Sequence, residues 1–75
     1  MPDHVLEQIV GKSRDARNGG FNALSTGEKL VTALVLNRAD WLADMGYTMA
    51  EAIDRVGPGW LARVHDAAVV LTEDD

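Results

Sequence analysis

Apolar positions recur along this chain at the spacing of helices, and the breaks between them carry capping and turn residues. Val5, Leu6, Ile9 and Val10 fall on one side of a helix whose N-cap is Asp3, predicting a first helix from about Asp3 to Arg14. Asn18-Gly19-Gly20 then stops it, because glycine takes positive φ without steric cost, and Phe21 is expected to anchor the loop to the core. Ser25-Thr26-Gly27-Glu28 has the form of a capping box, in which the serine hydroxyl and the glutamate carboxylate each satisfy the other residue's amide. A second helix therefore starts at Ser25 and runs through Leu30, Val31, Leu34, Val35, Leu36, Trp41 and Leu42 to Met45, where Gly46 ends it.

Thr48-Met49-Ala50-Glu51 repeats the capping box and opens a short third helix with Met49, Ala52, Ile53 and Val56 on one face. Gly57-Pro58-Gly59 closes that helix, and Trp60, Leu61, Val64, Ala68 and Leu71 give a fourth stripe reaching about Thr72. Nothing alternates with the period of two that a half-buried strand requires; the run Ala68-Val69-Val70-Leu71 has strand propensity but no partner strand. The expected fold is all-α: a compact orthogonal or irregular bundle of four helices, three longer and one short, with a core of Leu6, Ile9, Leu30, Leu34, Leu42, Ile53, Leu61 and Val64.

Composition narrows this picture. With 75 residues, 47% hydrophobic and 25% charged, the chain reads as one globular domain over residues 1–75, ending in a disordered acidic tail at 73–75. A domain of that size holds roughly 4–11 kcal/mol of net stability. The apolar runs Ala33 to Leu36 and Ala67 to Leu71 are far shorter than the roughly 18 residues that span a bilayer. The start Met1-Pro2-Asp3-His4 lacks the basic and apolar regions of a secretory signal, and cysteine is absent, so a cytoplasmic setting is expected and disulfide or thiolate chemistry is excluded. Twelve acidic against seven basic side chains give a net charge of −5, which disfavours a phosphate backbone as partner, although Lys12, Arg14 and Arg17 cluster early.

Candidate chemistry is sparse. The window from Asp40 to Glu51 places acids where a calcium loop has its first, fifth and twelfth residues, but Leu42 and Met45 stand where a ligand and the turn glycine are needed. Gly20 with Gly27-Glu28-Lys29 has some of the residues of a phosphate loop, at the wrong spacing and with no preceding strand. His65, with Asp66 beside it and Asp40 or Asp44 on another helix, could form a metal or acid–base group only if these side chains converge; His4 sits in a first turn. Ser25 and Thr26 read as capping residues rather than nucleophiles. No catalytic set, cofactor or metal is expected.

Two functional expectations follow. The first is a protein–protein interaction module, a small accessory or regulatory protein without catalysis, binding another protein or itself. The apolar residues of the second helix point in several directions, so one intramolecular face is too small to cover them. This predicts a two-fold homodimer, with Val31, Val35, Leu36, Trp41 and Trp60 as interface candidates. The alternative is a nucleic-acid-binding regulator that uses the stretch from Thr48 to Val64 as a helix-turn-helix, with Arg63 offered to the groove.

Overall fold

A computed structural model describes residues 3–73, and among them every regular element is helical. Helix α1 spans His4–Asp15, with the Asp3 carboxylate accepting the Leu6 amide at 3.0 Å as N-cap. The chain leaves it through a widened turn over Ala16–Gly20, where Gly19 takes φ +100° at the expected stop. A single 3₁₀ turn, Phe21–Ala23, leads to α2, Thr26–Val35. The capping boxes form as the sequence predicts: Ser25 and Glu28 exchange amide hydrogen bonds of 3.3 and 2.9 Å, and Thr48 and Glu51 of 3.1 and 3.0 Å.

The expected second helix is in fact two. Asn37 adopts φ +56°, and the Arg38 amide reaches back to the Ala33 carbonyl at 2.8 Å while the Asn37 amide bonds that of Leu34 at 3.2 Å. This is a Schellman ending with asparagine in the left-handed position usually held by glycine. Helix α3, Ala39–Asp44, starts on a new axis and ends in the same motif with Gly46 at φ +78°, where the Tyr47 amide donates to the Leu42 carbonyl at 2.9 Å. Helix α4 spans Met49–Val56, as expected.

The fourth stripe is also divided, into the single turn α5, Pro58–Leu61, and α6, Val64–Glu73. Neither Gly nor Pro lies at this second break; it falls where Arg63 reaches across to pair with Asp3 at the start of α1. Glu73, assigned by sequence to a disordered tail, is the last residue of α6, and Asp74 and Asp75 lie outside the described residues. The four helices of eight or more residues are thus three longer ones and one short one.

Helix α2 runs through the middle and divides the interior. Val31 and Val35 join Ile9 and Val10 of α1 and Ala67 and Leu71 of α6. On another side of the same helix, Leu30 and Ala33 join Leu42 of α3 and Ala52 of α4. Residues 100° apart around a helix can serve different neighbours, and here they do. Val31 and Val35, expected as interface residues, are buried inside one chain because α1 and α6 cover their face of α2. Of the expected core, Ile9, Leu30 and Leu42 are buried, and Leu6, Leu34, Leu61 and Val64 are half-buried. Ile53 is the exception, 40% exposed, because α4 turns only Ala52 fully toward α2.

Candidate interaction surface

The titratable groups stay apart. His65 lies near Asp66 on an exposed stretch of α6, His4 near Glu7, and Asp40 accepts both arms of the Arg38 guanidinium at 2.9 and 2.8 Å. Among the described residues no three His, Cys, Asp or Glu side chains gather closely enough to hold a metal ion. The carboxyls with shifted acidity are structural. Glu28 is held below the usual glutamate range by the Ser25 amide, with help from Lys12, and Glu51 by the Thr48 amide. Asp3 is lowered first by the Leu6 amide and then by Arg63, and Asp40 by Arg38. Ser25 and Thr48 hydroxyls are therefore engaged at helix starts, as a nucleophile's would not be.

A groove-reading helix gains little from the arrangement of residues 48–64. Arg63, its intended basic contact, donates to Asp3, and α6 turns His65, Asp66, Val69, Thr72 and Glu73 to the outside. That face carries no lysine or arginine to meet phosphate.

Trp41 and Phe21 form a surface stack, with ring centroids 4.2 Å apart and planes inclined at 33°. The Arg38 guanidinium lies 4.3 Å from the Trp41 centroid, and Lys29 stands 5.6 Å from the Phe21 centroid. This fastens the turn at Phe21 to α3 rather than to the core, where the sequence places it. A cleft of about 450 Å³ opens beside it, bordered by Lys29, Asp44 and Met45. Trp60 packs against the α1–α6 core and lines a different cleft of about 290 Å³ with Arg55 and Val56. Leu36 borders a third, with Ala68 and Thr72. Of the five sequence-chosen interface residues, Val31 and Val35 are buried, Val35 beside Leu36 in the wall of one cleft, while Trp41 and Trp60 line two others.

The apolar surface that the sequence did not single out is on α4. Met49 is 49% and Ile53 40% exposed, one helical turn apart, and Ala50 beside them is exposed as well. Ala52 and Val56 occupy the inward side against α2. Acidic residues outnumber basic ones nearby: residues 39–54 include Asp40, Asp44, Glu51 and Asp54, with Arg38 just before them and Arg55 next on α4 itself.

Comparison of the chain with protein-family models, with curated proteins and with solved structures returned no match. Among the described residues, no helix is long and apolar enough to cross a membrane.

Proposed function

We propose that this chain is a protein–protein interaction module, a small cytoplasmic accessory or regulatory protein that docks a partner on the outer face of α4 and has no catalytic activity of its own. The observation that carries this reading is the exposure of Met49 and Ile53 as adjacent large apolar side chains on a helix whose inward side is already satisfied by Ala52 and Val56. Apolar side chains left uncovered side by side are the usual anchors of a docking surface, whereas an isolated one, such as Val69 on α6, needs no explanation. Neither anchor contributes to the buried core, so each can be changed with the fold intact.

The test uses the wild-type chain and the variants Met49→Asp and Ile53→Asp as bait in host extract, followed by titration of each captured protein in purified form. A purified partner should bind the wild type and lose at least about tenfold in affinity to either variant, the scale of one buried anchor removed from an interface. The reading is overturned if no captured protein binds once purified, or if both variants bind as tightly as the wild type.

A further inference from the structure

We infer that the cleft framed by the Phe21 turn, α2 and α3 binds a small zwitterion with an apolar body, the chemistry of a free apolar α-amino acid. It shares no residue with α4, so the inference does not rest on the docking reading. The cleft has about 450 Å³, within the range of roughly 300–1,000 Å³ that small-molecule sites occupy. Half-buried Phe21, Trp41 and Met45 give it an apolar wall. The stack of Phe21 on Trp41 ties the turn to α3, and the ending at Asn37 ties α3 to α2. The walls therefore stand in place before a ligand arrives, and binding costs little ordering.

Charge decides what fits there. Lys29 of α2 and Asp44 of α3 both line the cleft, and they are opposite in sign, yet they form no ion pair with each other. Among the described residues neither has another charged partner; the Lys29 ammonium rests near the Phe21 ring. Arg38, the other cation beside Trp41, is committed to Asp40 by two hydrogen bonds. An anion in the cleft would gain Lys29 and face Asp44, and a cation would meet the reverse. A neutral molecule would draw water from both charges and return no partner to either. A zwitterion answers both, with its carboxylate toward Lys29 and its ammonium toward Asp44. Its apolar body then lies against Phe21, Trp41 and the flexible thioether of Met45.

The probes are L-phenylalanine and two analogues with the same ring, phenethylamine without the carboxylate and hydrocinnamate without the ammonium. Each is titrated into the full chain labelled at its nitrogens. The Trp41 indole N–H reports on the cleft, and the Trp60 indole N–H, in another cleft, serves as control. The expected result is saturable shifts at the Trp41 indole and at the Phe21, Lys29 and Asp44 amides. L-phenylalanine should bind at about 1 mM or tighter, and each analogue at least about tenfold more weakly. Lys29→Gln should lower the affinity for L-phenylalanine about tenfold and leave phenethylamine unweakened; Asp44→Asn should do the reverse and spare hydrocinnamate.

Equal binding of phenethylamine would reduce the cleft to a cation site on Asp44, and equal binding of hydrocinnamate to an anion site on Lys29; either overturns the zwitterion. Affinity for L-phenylalanine that neither variant changes would assign binding to the aromatic wall alone and overturn it too. So would an absence of saturation at the Trp41 indole, or shifts of equal size at the Trp60 indole, which would mark unspecific contact with the ring. The analogue series uses the unaltered chain, so the inference can fail even where a variant does not fold.

Discussion

Helices α2 and α4 open alike and end up in opposite surroundings. Each begins with a Ser or Thr hydroxyl on the amide of a glutamate three residues on, and each carries apolar residues at helical spacing. Yet α2 buries Leu30, Val31, Thr32, Ala33 and Val35, whereas α4 buries Ala52 alone. The difference lies in their neighbours: α1, α3, α4 and α6 all pack on α2, and α4 meets α2, α3 and α5. A cap is a contract between residues three apart and is settled locally. Burial is settled by elements far along the chain, and an apolar stripe records only that something should cover it.

The strongest way to break this comparison is to truncate one side chain on each helix. Leu30→Ala removes a fully enclosed side chain and should cost about 2–5 kcal/mol, enough to leave a domain holding about 4–11 kcal/mol near its unfolding threshold. Ile53→Ala on α4 should cost within about 0.5 kcal/mol, the scale of an exposed position. Urea unfolding followed by circular dichroism measures both. Comparable losses would show that the outer face of α4 is part of the core after all.

The same contrast explains which parts of the fold were legible in the sequence. The all-helical class, the N-cap at Asp3, both capping boxes and the stop at Gly19 could be read because each depends on a few consecutive residues. The division of the long second helix was missed because its terminator is Asn37, which takes the left-handed conformation less readily than glycine and sits within an unbroken apolar pattern. That break explains much of what followed: it redirects Trp41 to the surface stack with Phe21 and brings Leu42 against Leu30 and Ala33.

The candidate surface was the least legible feature. Val31 and Ile53 are both β-branched residues on amphipathic helices, and nothing local tells the buried one from the exposed one. The expected dimer through α2 followed from counting apolar directions without knowing that α1 and α6 would fill two of them.

Removing each cap sharpens the comparison at intermediate scale. Ser25→Ala and Thr48→Ala should each cost about 1 kcal/mol, since each deprives one amide at a helix start of its partner. The local energies are alike, but their reach should differ. Helix α2 is packed into both halves of the core, so the loss at Ser25 should lower protection from hydrogen exchange throughout the slowest-exchanging amides. Helix α4 packs on one side, and the loss at Thr48 should appear chiefly at its own amides. A loss confined to the first turn of α2 in Ser25→Ala would contradict the central role of that helix.

The smallest expected effect concerns charge at the two boxes. Glu28 and Glu51 both have folded acidities below the ordinary glutamate value, because their ionised carboxylates accept hydrogen bonds from Ser25 and Thr48. A carboxyl lowered in the folded chain stabilises it fully above the unfolded value, about 4.3, and the contribution disappears as pH falls through the lower folded value. Stability should therefore decline on acidification from about pH 5 downward, with both boxes contributing. Only Glu28 has a nearby cation, Lys12 at 3.7 Å, in a partly exposed pair worth at most about 1 kcal/mol. Lys12→Ala should thus reduce stability by a few tenths of a kcal/mol at neutral pH and by nothing once Glu28 is protonated, and high salt should mimic it. The Glu51 box, which has no such cation, gives the internal control: in Lys12→Ala the Glu28 carboxyl, followed by NMR titration, should move up toward the ordinary value while Glu51 stays in place. A matching shift at Glu51 would mean that the two boxes are coupled through α2 and α4, rather than being the independent local devices that the capping geometry describes.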